Sequence, residues 1–188
     1  LSMGHEMPLG KKLNGTLRAF IQRQPMFFVA TAAETGRVNV SPKGADTLRI
    51  LDDNRIMWLN LSGSGNETAG HIRACNRMTL MFCAFGGDAL ILRVYGQAQV
   101  LHPRDGGWAD ALATFPDLAG SRQVFDMTID GVQTSCGTGV PVMAFDHDLA
   151  EDELTPFYAD MGPDGVKDYW RRKNVETIDG LPTGLFED

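Results

Sequence analysis

Arg37-Val38-Asn39-Val40-Ser41-Pro42-Lys43-Gly44, followed by Trp58-Leu59-Asn60-Leu61-Ser62-Gly63-Ser64-Gly65-Asn66-Glu67-Thr68, decides how this chain is read. Each segment leaves a short β-like run and ends in small hydroxyl, amide or glycine residues. The first adds Lys43, and the second runs into a helical pattern with Asn66 as its expected N-cap and Glu67 in its first turn. Unpaired N–H groups at a helix start, together with a lysine, are natural ligands for a phosphate. Two such edges converging on one anionic group would make a phosphate cradle.

The surrounding sequence supplies the strands that such a cradle needs. Leu9, Leu13, Leu17, Phe20 and Ile21 recur at spacings of three and four and predict a helix over Leu9 to Gln24, ended by Pro25. Phe27 to Ala32 reads as a buried strand, Glu34-Thr35-Gly36 as a turn, and Arg37 to Ser41 as the returning strand of a hairpin. Thr47 to Leu51 and Arg55 to Leu61 form a second pair, and Asn66 to Ala74 a helix. Arg77 to Phe85, Ala89 to Leu101, Gln123 to Val132 and Pro141 to Phe145 read as further strands, with a helix from Pro103 to Phe115. From Leu154 the pattern is helical, interrupted at Gly162-Pro163 and resumed from Asp164, and the tail from Ile178 to Gly184 is loop-like. Many short strands with few helices between them predict a mainly β chain with flanking helices, antiparallel and Greek-key-like, closing toward a barrel. A doubly wound parallel sheet would need a helix after most strands.

Composition narrows the class. The 188 residues suffice for a single domain with an N-terminal helix and a C-terminal helical extension, and 43% apolar content predicts a folded core. A formal net charge of −7 argues against broad nucleic-acid binding, while a local basic pocket can still hold a small anion. No apolar run approaches the roughly 20 residues needed to span a bilayer, and no signal pattern opens the chain. Leu1 and Ser2 precede Met3, the first plausible start residue, and are expected to be foreign to the native chain. Cys75, Cys83 and Cys136 are widely spaced, so reduced thiols and a cytoplasmic location are expected.

Other candidate constellations are weaker. Ser62 to Thr68 has no lysine after Gly65, so it is not a P-loop, and it does not fit GxGxxG. Arg37 could also face a phosphate, though a hairpin arginine is usually on the surface. Thr134-Ser135-Cys136-Gly137-Thr138-Gly139-Val140-Pro141 reads as a tight loop whose glycines allow close approach to a ligand, and Cys136 has no nearby base to make it a nucleophile. His71 and Cys75 share a helix face, but no second pair completes a metal site, and His5, His102 and His147 are scattered. Asp52-Asp53 and Glu151-Asp152-Glu153 read as solvated turns or helix starts. Trp170-Arg171-Arg172-Lys173 reads as a charged last helical turn, which in a dimer could instead reach a neighbour's pocket.

From about Phe27 to Leu101 the chain resembles the pyridoxamine 5′-phosphate oxidase-related family, the FMN-binding split barrels. Arg37 to Gly44 and Arg77-Met78-Thr79-Leu80-Met81-Phe82 carry the resemblance best, in the order strand, turn, strand, phosphate loop, helix, strand, strand. Thr134 to Gly137, Gly139-Val140-Pro141 and Ile178 to Pro182 resemble one branch of that family. The resemblance implies a split β-barrel homodimer with FMN at the subunit interface. By position, Asn39, Val40 and Ser41 would line the flavin edge, and Lys43 would contact phosphate or ring. Leu59 and Asn60 would lie under the ribityl chain, and Asn66 and Thr68 in the phosphate loop. Where the oxidase carries a basic Arg-Lys pair, this chain has Glu67 and Thr68, so a phosphate must rely on N–H groups, hydroxyls and Lys43, with Glu67 turned away. The residues that hold the oxidase's vitamin substrate find no clear match.

The expected function is therefore an FMN-dependent oxidoreductase acting on a small molecule, with NADH or NADPH as a reductant and no side chain obliged to act as acid or base. The alternatives are a flavin-binding or stress-related protein without turnover, and a split barrel holding haem or a deazaflavin.

Overall fold

A computed structural model of the chain describes residues 9–187; Leu1, Ser2 and His5 lie outside the described residues. Seven strands form one antiparallel sheet. They are β1 (Phe27–Thr31), β2 (Asn39–Lys43), β3 (Leu48–Asp52), β4 (Arg55–Leu61), β5 (Arg77–Cys83), β6 (Leu90–Leu101) and β7 (Ser121–Cys136), in the order β2-β1-β5-β6-β7-β4-β3. The sheet is not closed by a strand ladder, and its architecture is that of a split β-barrel. β6 pairs with β7 along its whole length, from Leu90↔Cys136 to Leu101↔Val124, and the two form the spine. The register slips between Tyr95 and Gly96, where a Cβ on Gly96 would lie 2.0 Å from the Thr128 carbonyl oxygen. Glycine is the residue that lets the two backbones approach there.

Side-chain alternation places the core. Phe27, Val29 and Thr31 of β1 point inward, as do Met78, Leu80 and Phe82 of β5. They pack around Trp58, which stacks on Phe125 at 4.6 Å between ring centroids and donates its indole N–H toward Met78 Sδ at 3.4 Å. β4 is buried on both faces. Ile56 and Trp58 face this core, while Met57 and Leu59 meet Ala111 and Phe115 around helix α3 (Trp108–Leu112). That explains the apolar run from Ile56 to Leu59.

Helix α1 (Gly15–Gln22) is shorter than the Leu9 to Gln24 span its spacing predicts. Asn14 caps it by accepting from the Leu17 N–H at 2.9 Å. Gly10 instead forms an isolated bridge with Val132 of β7, donating to and accepting from its backbone. α3 likewise starts later than Pro103, because Asp105 accepts from the His102 N–H and makes a turn first. Helix α2 (Glu67–Ala74) crosses from β4 to β5. Helix α4 (Thr155–Lys173), preceded by a π-helical turn Ala150–Leu154, is broken at Gly162, which sits at φ 69°.

One loop expectation and one strand expectation are corrected. Thr134 to Cys136 are not a tight loop but the end of β7, paired with Leu90 to Leu92 of β6. Gly137 does permit close approach, but to the Leu90 backbone rather than to a ligand. Pro141 to Phe145 is not a strand: Pro141 lacks an N–H, and the segment holds on through the Met143 N–H donating to the Phe85 carbonyl. No helix among the described residues is long and apolar enough to cross a membrane.

Candidate functional site

The ends of β2 and β4 meet in a cleft of about 700 Å³. Asn39, Ser41 and Lys43 of β2 line it, with Leu59 and Asn60 of β4, the loop Ser62 to Asn66 and the start of α2 at Glu67 and Thr68. The two segments singled out in the sequence therefore share one cavity. Val40 stands apart: strand alternation turns its side chain away from the cleft, 61% exposed.

Lys43 Nζ donates to Asn60 Oδ1 at 3.0 Å and lies 5.4 Å from the Trp58 ring centroid. Asn60 Nδ2 in turn donates to Gln123 Oε1 at 3.2 Å, leaving Gln123 Nε2 buried without an acceptor. Burial, and then the charge of Arg122, lower the Lys43 pKa to about 8.

Arg122 is the residue that the sequence reading missed. It sits on β7, is 2% exposed and lines the same cleft. Its Nη1 donates to the Gly65 carbonyl at 3.0 Å and toward that of Gly63 at 3.5 Å, and its Nε is buried without a partner. Burial lowers its pKa to about 10. Neither Lys43 nor Arg122 makes an ion pair among the described residues. An arginine inside a buried strand carries no motif, and only the sheet register brings it beneath the glycine loop.

The loop itself is polarised. The Asn174 side-chain amide donates to the Gly63 carbonyl at 2.9 Å, so both glycine carbonyls are tied back. The N–H groups of Gly63, Ser64, Gly65 and Asn66 donate to no protein acceptor among the described residues. Successive free N–H groups at a helix start form an anion-binding concavity. Asn66 sits at the expected N-cap position but does not cap. Its Nδ2 donates to the Asn174 carbonyl at 3.1 Å, which leaves Oδ1 buried and unpartnered. Glu67, expected to repel a phosphate unless turned away, accepts from the Ile178 N–H at 3.0 and 3.2 Å.

The remaining candidates have structural explanations. Arg37 pairs with Asp179 on the surface. His71 Nδ1 lies 3.1 Å from the Thr31 hydroxyl in a packed interface, and no cluster able to hold a metal occurs among the described residues. Cys136 is exposed, its thiol lowered by a hydrogen bond with Thr138, and Cys75 and Cys83 are also free thiols. Trp170 does not project: it is buried, and its indole N–H donates to Ser62 Oγ at 2.7 Å.

A sequence profile for pyridoxamine 5′-phosphate oxidase matches residues 13–136. The chain belongs to the pyridoxamine 5′-phosphate oxidase family. It is 32% identical over 189 residues to the family protein ustO of Aspergillus flavus, covering 92% of this chain and 76% of that one. Among solved structures it is similar in fold to HupZ of Group A Streptococcus (TM-score 0.54, 17% identity, 70% of this chain and 99% of that one). A candidate pyridoxamine 5′-phosphate oxidase of Lactobacillus delbrueckii is comparable (TM-score 0.53, 21% identity, 66% and 99%).

Proposed function

We propose that this chain binds FMN in the β2–β4 cleft and acts as an FMN-dependent oxidoreductase. The observation that carries this reading is the pair of cations, Lys43 and Arg122, which face one cavity without a carboxylate partner among the described residues, the charge of Arg122 adding to burial in lowering the Lys43 pKa. Two uncompensated cations at partly and fully buried positions are costly unless an anion joins them. The free N–H groups of the Ser62 to Asn66 loop add donors suited to a phosphate's oxygens. Lys43, Arg122, the loop and the Thr68 hydroxyl would hold the phosphate. Asn66 Oδ1 supplies an acceptor suited to a ribityl hydroxyl, and Asn39, Ser41, Leu59 and Asn60 line the rest of the cleft. Bound FMN supplies hydride and electron transfer at its ring; the protein supplies binding, orientation and the polarity around it.

A homodimer fits the exposed apolar side chains beside the cleft. Met143, Phe145 and Leu149 are 59%, 59% and 63% exposed, and Phe145 and Leu149 line the cavity's mouth. A second subunit covering them would also exclude water from a bound flavin.

The direct test is the absorption spectrum and mass of the ligand that co-purifies, followed by reduction with NADH or NADPH. Flavin bands and reduction support the oxidoreductase. Flavin that no donor reduces favours a binder without turnover. A Soret band, or the mass of a deazaflavin, contradicts the FMN assignment.

A further inference from the structure

The loop that carries the free N–H groups is not held by its own sequence. Ser62-Gly63-Ser64-Gly65 contains two glycines and would be mobile on its own. Gly120 and Arg122 hold its two ends, and the rest of its anchorage comes from residues more than a hundred positions away. Trp170, in the last turn of α4, donates its indole N–H to Ser62 Oγ at 2.7 Å, and Ser62 Oγ donates onward to the Gly120 carbonyl at 2.6 Å. Asn174, fully buried just past the helix end, donates from Nδ2 to the Gly63 carbonyl at 2.9 Å, while its own carbonyl accepts from Asn66 Nδ2 at 3.1 Å and from the Thr183 hydroxyl at 2.6 Å. Four residues on, the Ile178 N–H holds the Glu67 carboxylate.

We propose that Trp170 and Asn174 are positioning residues for the anion site: the end of α4 braces the glycine loop so that its N–H groups converge on a phosphate. The contacts have the character of a brace rather than of general packing. Each falls on a different residue of the same short loop. Together with Arg122 they occupy the carbonyls of Gly63 and Gly65, the groups that would repel an anion if the loop turned over. The segment that provides the brace lies beyond the residues 13–136 that match the family profile. The barrel thus supplies the cations, and the extension supplies the loop's shape. Preorganised donors bind an anion better than donors ordered on its arrival.

The inference rests on the FMN reading, and riboflavin separates the two, because it has the ring and ribityl chain but no phosphate. Binding of FMN and of riboflavin is measured by quenching of flavin fluorescence for the unsubstituted protein, Asn174→Ala and Trp170→Phe. The brace predicts that Asn174→Ala weakens FMN binding tenfold or more and riboflavin binding less than twofold. Trp170→Phe, which keeps a ring in the pocket and removes the indole donor, shifts the ratio in the same direction by a smaller factor. If Asn174→Ala fails to fold by circular dichroism, Trp170→Phe decides. Equal losses for both flavins mark a general structural role and overturn the proposal, as does an unchanged FMN affinity. If the unsubstituted protein itself binds both flavins equally, the phosphate reading fails and the brace with it.

Discussion

Lys43 and Asn60 join the two ends of the curled sheet: β2 is one edge and β4 is next to the other, yet Lys43 Nζ donates to Asn60 Oδ1 at 3.0 Å. The seam of the barrel is thus closed by a side-chain bond where backbone pairing stops, and the cleft opens at that seam. Lys43→Ala removes the cation and leaves Asn60 Oδ1 without its donor. FMN retention should weaken by about 1–3 kcal/mol, the range for a hydrogen bond to a charged group. Equilibrium dialysis of the flavin checks this, and unchanged retention would remove Lys43 from the site.

Arg122 predicts an opposition between binding and stability. In the ligand-free chain it is a buried cation with an unpartnered Nε and no ion pair among the described residues. An uncompensated buried charge carries a desolvation cost that an apolar side chain of similar length does not, which offsets the loss of the hydrogen bond to the Gly65 carbonyl. Arg122→Met should therefore leave the melting temperature of the ligand-free protein unchanged or higher while weakening FMN binding on the order of a hundredfold, as for loss of one strong charge-assisted contact. Calorimetry of melting and of binding on the same sample reads both. A lower melting temperature with intact binding would place Arg122 in the scaffold alone.

The Lys43 pKa gives a pH signature. Its folded value is about 8 against an ordinary 10.5, because burial and the Arg122 charge oppose protonation. Between those values the unfolded chain holds the extra proton, so raising the pH from about 8 toward 10.5 stabilises the ligand-free fold relative to Lys43→Met, and below about 8 the full cost of the buried charge is present. A bound phosphate favours the ammonium form and raises the pKa. FMN binding above pH 8 should therefore take up a proton, and affinity should fall as the pH rises. Titration calorimetry in buffers of different ionisation heat measures the uptake; no uptake at pH 8.5 would contradict the placement of the phosphate beside Lys43.

Gly96 tests the fold independently of any ligand. A Cβ there would lie 2.0 Å from the Thr128 carbonyl oxygen, a backbone atom that cannot swing aside. Gly96→Ala should destabilise the protein by about 1–3 kcal/mol or more, as overpacking does, measured by urea unfolding. An unchanged midpoint would mean that the β6–β7 bulge is not built as described.

The sequence made the strands legible wherever alternation or a buried run was local, as in Phe27 to Thr31 and Arg55 to Leu61. It pointed to Asn39, Ser41, Lys43, Leu59, Asn60, Asn66 and Thr68 through two strand ends, a helix start and the family resemblance, and these residues line one cleft. What it could not show depends on partners far along the chain. β7 runs on through Cys136 because β6 is there to pair with it, overriding a turn-like composition. Leu9 to Leu13 has helical spacing, but Gly10 bridges to Val132 and the Leu13 N–H donates to the Asp53 carbonyl. Arg122 and Asn174 meet the loop only through sheet register and the path of α4.

The central claim is that Lys43, Arg122 and the Ser62 to Asn66 loop hold the phosphate of a flavin nucleotide. The most direct measurement is calorimetric titration of the unsubstituted protein with FMN, with riboflavin and with FMN in the presence of excess inorganic phosphate. The claim predicts FMN binding at least tenfold tighter than riboflavin, and competition by phosphate against FMN alone. Equal affinities for the two flavins, indifferent to phosphate, would contradict it.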